Sequence, residues 1–189
     1  MLERRVVRVL VPYSRTLYFN DRGAQRGLTA DTLRDFEIHL NKKYARKNRP
    51  IVVVAIPTTR ERLFPGLAEG RGDLAAGNLT ISSERDRQFD FSRPIAEDVA
   101  EIVVGGPRSP KLASLDDLGD KEVHARASSS YYASLEALNA RLKAEGKAPA
   151  KIVAVPEALE DEDLMDMAAA GLLRYTIVDS WKARIWARL

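Results

Sequence analysis

The uninterrupted apolar run Ile51-Val52-Val53-Val54-Ala55-Ile56 constrains this chain more than any other segment. It is too short for a core helix and rich in β-branched residues, so it reads as a strand, and with no polar position it predicts burial on both faces. A second such run, Val6-Val7-Arg8-Val9-Leu10-Val11, ends at Pro12. Between them Leu33, Phe36, Leu40 and Tyr44 recur at three- and four-residue steps, the period of an amphipathic helix, with Thr29 or Asp31 placed to cap it. After Ile56, Thr58 and Thr59 open a short helix carrying Leu63 and Leu67. Gly70-Arg71-Gly72 stops it, and Leu74-Ala75-Ala76 makes a third strand. The order β-α-β-α-β predicts a parallel sheet with right-handed crossovers, whose ligands bind at the carboxyl ends of the strands.

A second α/β set follows. Val99–Val104 reads as a strand, broken by Gly105-Gly106-Pro107, and Ser114–Leu118 as a short capped helix. Strands are predicted at Glu122–Ala125, Ile152–Val155 and Tyr175–Val178, and helices at Ser130–Leu142, Leu159–Ala170 and Ser180–Leu189. The break near residues 104–112 divides the chain into lobe 1, residues 1–105, and lobe 2, residues 106–189. The consecutive acids Glu160, Asp161, Glu162 and Asp163 point around the helix rather than converge. They read as a solvated helix start favoured by the dipole, not as a calcium site.

Composition removes several function classes. With 30 Lys and Arg against 27 Asp and Glu, and no basic stripe interleaved with aromatics, nucleic acid is not an expected partner. The absence of cysteine excludes disulfides and thiolate metal sites. The two histidines have no partner at metal-ligand spacing: His39 falls on a helix surface and His124 in a strand. No apolar run is long enough for a membrane span, and Met1-Leu2-Glu3-Arg4-Arg5 is not followed by the apolar core of a signal peptide. No Ser/His/Asp set, metal cluster or placed pair of acids is visible, so no catalytic residues, metal or cofactor are expected.

The stretch from Gly77 to Pro94 starts where the third strand ends. It combines hydroxyl residues, free backbone N–H groups and Arg85, whose planar guanidinium matches a carboxylate in two parallel hydrogen bonds. Its chemistry is that of a receptor for a small anionic or zwitterionic ligand. Ser129 and Ser130 precede a helix, whose N-terminus offers unpaired N–H groups to an anion.

Asp73, then Glu84-Arg85, then Phe91-Ser92-Arg93-Pro94, with Gly27-Leu28-Thr29-Ala30-Asp31 upstream, resembles the signature of type II periplasmic solute-binding proteins of the amino-acid family. Ala127–Leu135, Pro156–Leu164 and Val178-Asp179 are similar to the solute-binding module of the membrane-bound lytic murein transglycosylase F family. The resemblance implies a two-lobe, type II periplasmic-binding-protein-like α/β fold. It also implies site roles: Arg85 and Thr80 for a ligand carboxylate, Asn78 for a backbone contact where the family has glycine, and Tyr18 (with Tyr13 a second candidate) for an aromatic flank. Ser129 and Ser130 would make contacts at the helix start, and Asp179 would take an α-ammonium group. The family often has a further aspartate where Arg174 stands here.

The transglycosylase F family joins this module to a lysozyme-like catalytic domain with an E-S motif and a later G-L-M-Q segment, and neither occurs in this chain. The resemblance therefore implies a non-enzymatic, ligand-binding regulatory module. It would be periplasmic or outer-membrane-associated, bind an amino acid or peptidoglycan-derived peptide between two lobes, and have a C-terminal lysozyme-like domain as partner in the parent protein. The alternative is a free-standing amino-acid-binding component of an ABC uptake system. Proteins of this type usually return to the first lobe after the second. Ending at Leu189 predicts a form truncated before that return, with an open sheet edge that favours dimerisation or swapping.

Overall fold

The computed structural model describes residues 3–44 and 48–188; Leu189, at the end of the last predicted helix, and Met1 and Leu2 lie outside the described residues. The chain forms two compact units, Met1–Leu79 and Thr80–Leu189.

The first unit runs β1 (Val6–Pro12), β2 (Phe19–Asp21), β3 (Ala24–Arg26), α1 (Leu28–Lys43), β4 (Val52–Thr58), α2 (Leu63–Ala68) and β5 (Leu74–Ala75). Its main sheet is parallel in the order β4-β1-β5. The central strand is therefore β1. Val7, Val9 and Val11 bury one face against Ala30 and Leu33 of α1, while Leu10, on the other face, is 2% exposed. Gly72 lets the chain pass Leu10 closely, since a Cβ there would stand 2.6 Å from Leu10 Cγ. β4 is not buried on both faces as its apolar run suggested. It is an edge strand with β1 as its one neighbour, and Val52 and Val54 are exposed.

The start of α1 also departs from expectation. Neither Thr29 nor Asp31 caps it; the cap position is Gly27, at φ 105. The free N–H groups of the first turn bond instead to backbone carbonyls, Leu28 to Thr16 O at 3.1 Å and Thr29 to Leu17 O at 2.8 Å. These contacts satisfy the helix end as a side-chain cap would and fix the loop after β1. Two side chains of α1 reach the outer edge of β4: Asn41 exchanges hydrogen bonds with Ile51 N–H (2.7 Å) and O (2.8 Å), and the Glu37 carboxylate accepts from Val53 N–H at 2.6 Å. At the other side of the sheet Asp73 clamps β1 to β5. It accepts from the Arg8 N–H at 2.9 Å and from its guanidinium at 3.1 and 3.2 Å. The Arg8 guanidinium and N–H hold the Asp73 carboxyl down to about 2.

The second unit comprises α3 (Ser83–Asp86), β6 (Glu101–Gly105), a 3-10 turn at Leu115–Leu118, β7 (Glu122–Arg126), α4 (Ser130–Ala144), β8 (Lys151–Val155), α5 (Asp161–Ala169), β9 (Tyr175–Asp179) and α6 (Ser180–Trp186). The sheet order is β6-β9-β7-β8, with β7 parallel to β8 and β9, and β6 antiparallel to β9. That pairing puts β6 in the second unit, whereas a boundary at 105 assigns it to lobe 1: all five of its residues stand opposite a residue of β9. Val123, Ala125, Tyr131, Leu135, Tyr175 and Ile177 form the core between sheet and helix.

The acidic start of α5 departs from expectation as well. Glu160, Asp161 and Glu162 are 4%, 1% and 0% exposed, so this turn is buried rather than solvated. Asp161 shares a helix face with Leu164, Met165 and Ala168, which are also buried.

Candidate functional site

The head of α4 gathers most of the residues that the sequence singled out. Ser129 caps the helix, accepting from Tyr132 N–H at 3.2 Å and donating to Arg126 O at 2.7 Å. Ser128 ahead of it is held by Glu157, whose carboxylate accepts from its N–H at 2.9 Å and its hydroxyl at 2.5 Å. Ser130 Oγ lies 3.2 Å from Thr80 Oγ1 and donates to Glu101 at 3.0 Å. Arg85 stands on α3, whose cap Ser82 accepts from Arg85 N–H. The Arg85 guanidinium donates to Thr80 O and Ser128 O, both at 3.1 Å, so it ties the loop before α3 to the loop before α4.

Asp179 joins the same region through the backbone. Its N–H donates to the Tyr131 hydroxyl at 3.2 Å, and its carboxylate accepts from Trp181 Nε1 at 3.2 Å. The Tyr131 hydroxyl in turn donates to Asp161 at 3.3 Å. Below it lies a buried charge cluster. Asp161 accepts from Arg126 at 2.5 Å and pairs with Lys182, and all three side chains are 2% exposed. Arg126 also donates to Leu159 O at 2.6 Å. Taking such charges out of water is costly unless each is met by partners, and here one carboxylate meets two cations and a phenol. Sequence reasoning missed Arg126, Tyr131, Asp161, Lys182, Glu101 and Glu157. The signal available for Asp161 was its three-, four- and seven-residue spacing to Leu164, Met165 and Ala168.

The other two candidates belong to the first unit. Tyr18 is 2% exposed and packs with Val7, Val9 and Leu33, and burial pushes its phenol up. Tyr13 is the exposed aromatic of that loop, at 57%. Asn78 has φ 51, in the left-handed region that glycine and asparagine tolerate best, which accounts for an asparagine where the resembling family has glycine. Gly77 before it packs against Pro12, and its carbonyl accepts from Arg60 at 3.0 Å. The Arg174 carbonyl accepts from Gly106 N–H and Ser109 Oγ. His39 is exposed, and the His124 ring lies 3.3 Å from Tyr175 O. Among the described residues, no three His, Cys, Asp or Glu side chains are grouped to hold a metal, and no helix is long and apolar enough to cross a membrane.

Residues 7–171 match the family described as bacterial extracellular solute-binding proteins, family 3. The chain belongs to that family. Similar curated proteins are the membrane-bound lytic murein transglycosylase F of Ectopseudomonas mendocina and transglycosylase F 1 of Alkalilimnicola ehrlichii. The first is 31% identical over 92% of this chain and 33% of its own length, the second 26% over 98% and 35%. The chain thus spans about a third of the length of these relatives. Among solved structures, an ancestral amino-acid-binding protein, a precursor of cyclohexadienyl dehydratase, superposes with a TM-score of 0.78 at 21% identity, covering 99% of this chain and 75% of that one. This likeness establishes the fold, the type II architecture of periplasmic binding proteins. The family match and the match to transglycosylase F cover the same stretch of this chain, which makes it a solute-binding domain.

Proposed function

We propose that this chain is the ligand-binding, regulatory module of a lytic transglycosylase F-like cell-wall protein, and that it takes an amino acid or a short peptidoglycan-derived peptide. The observation that carries the reading is the convergence of Thr80, Arg85, Ser129 and Ser130 at the head of α4, with Asp179 one hydrogen bond away through Tyr131. Arg85 would exchange its two backbone carbonyls for a ligand carboxylate, a stronger charge-assisted partner. Asp179 would receive the α-ammonium. The chain itself would perform no bond chemistry; a C-terminal lysozyme-like domain would do so in the parent protein, in the periplasm or at the outer membrane.

Calorimetric titration with amino acids and peptidoglycan peptides tests the binding reading. Wild type should bind at least one of them, and Arg85→Ala should weaken that binding about tenfold or more. Equal binding by both proteins would remove Arg85 from the site. The reading frame beyond Leu189 tests the regulatory reading: a lysozyme-like domain is expected, while a stop codon beside permease genes would favour an uptake component instead.

A further inference from the structure

The hydroxyl groups at the head of α4 are polarised in one direction. Ser130 donates its hydroxyl proton to Glu101 at 3.0 Å. A hydroxyl has one proton to give, so in the 3.2 Å pair of Thr80 and Ser130 the donor is Thr80. Both O–H groups are thereby committed within the protein, and the threonine oxygen turns lone pairs, not a proton, toward a ligand. A carboxylate gains nothing from that hydroxyl, which leaves Arg85 and the Thr80 N–H to hold one; an ammonium or amide N–H gains an acceptor.

The sheet supplies an independent observation. In the antiparallel pairing of β6 with β9, Glu101 stands directly opposite Asp179. Side chains directly opposite lie on one face of the sheet, where like charges repel and a cation lying between them offsets the repulsion. Glu101 is half-buried, which strengthens its field relative to a fully solvated acid.

From these we infer that Glu101 is a specificity-determining residue of the proposed site: it selects amino acids or peptides that carry an additional basic group and rejects those with an additional acid. The inference rests on the proposed ligand-binding function and deepens it by fixing the charge class of the ligand. Arg85 still takes the ligand's one carboxylate, while Glu101, through Ser130 and Thr80 and by its charge beside Asp179, penalises a second.

The test is titration of the whole chain with L-lysine, L-leucine, L-glutamate, alanyl-lysine and alanyl-glutamate, for wild type, Glu101→Gln and Ser130→Ala. Wild type should bind the lysine-containing member of each pair at least about tenfold more tightly than the glutamate-containing one. Glu101→Gln should close most of that gap by weakening the lysine-containing probes and strengthening the glutamate-containing ones, opposite shifts that a purely structural role for Glu101 would not produce. Ser130→Ala, which cuts the hydroxyl relay but keeps the acid, should narrow the gap less. Equal wild-type affinity for the lysine and glutamate probes, or a gap unchanged in Glu101→Gln, would overturn the assignment of Glu101 while leaving the binding function standing. Failure of wild type to bind any of the five probes or any peptidoglycan peptide overturns both together.

Discussion

Asp73 in the first unit and Asp161 in the second are both secluded acids facing arginine, yet they do different work. Asp73 is 10% exposed at the side chain and meets mainly one partner, Arg8, through three hydrogen bonds that join β1 to β5. Asp161 is 2% exposed and stands between two buried cations, Arg126 and Lys182, under the Tyr131 hydroxyl. The first fastens two neighbouring strands. The second connects β7, α5 and α6, and reaches the backbone of Asp179 in two hydrogen bonds through the Tyr131 hydroxyl. A signature residue of the family thus proves to be a strand clamp, whereas an acid in an apparently surface-like run is the keystone of a buried network.

The contrast makes graded predictions. Asp161→Ala leaves two buried cations without their acid and should cost about 3–5 kcal/mol, read from urea denaturation. Replacing Arg126, Asp161 and Lys182 together by apolar residues of similar volume should recover most of that loss. A single substitution no worse than a surface change would mean the cluster is better hydrated than its burial implies. Asp73→Asn should cost about 2 kcal/mol, the scale of hydrogen bonds to a charged group.

The pH dependence of the clamp has a definite sign. The folded-state value of Asp73, about 2, lies below the ordinary 3.8, so its contribution is present above about pH 4 and is lost as pH falls toward 2. Stability curves of wild type and Asp73→Asn should therefore converge between pH 4 and 2; parallel curves across that window would rule the clamp out. The smallest effect belongs to the surface group of Asp116 with Arg141 and Lys147. Asp116→Asn should barely move the denaturation midpoint at physiological salt, and any difference should vanish in 0.5 M salt at a Debye length of roughly 4 Å.

Periodicity made much of the fold legible. The valine runs announced β1 and β4, the leucine and phenylalanine spacing announced α1, and the Ser114 capping pattern announced the 3-10 turn, where Ser114 and Asp117 do form a capping box. What pattern does not encode is a strand's neighbours. Six apolar residues look alike at the centre or edge of a sheet, so the run predicts burial on both faces for β4 although β1 holds the central place. The hairpin of β2 and β3 escaped notice because its strands are three residues long and mostly exposed, with no alternation to detect. Its turn does carry a signal, Arg22-Gly23, both at positive φ. In the candidate site, Thr80, Ser129 and Ser130 were visible as a hydroxyl-rich loop and a helix cap. Glu101 was not, because its importance comes from a cross-strand partner, Asp179, that lies far along the chain.

The outer edge of β4 bears on how this protein meets other copies of itself. Val52 N–H bonds inward to Arg5 O, so the strand's odd-numbered positions face outward. On that side Glu37 occupies the Val53 N–H and Asn41 engages Ile51 just before the strand, while Pro57 has no N–H to give. Ala55 is then the remaining outward N–H within the strand among the described residues. An incoming strand would find one donor where a ladder needs several, so β4 is closed to recruitment by its own helix, and self-association by strand addition in the first unit's main sheet must use the two-residue β5 side instead.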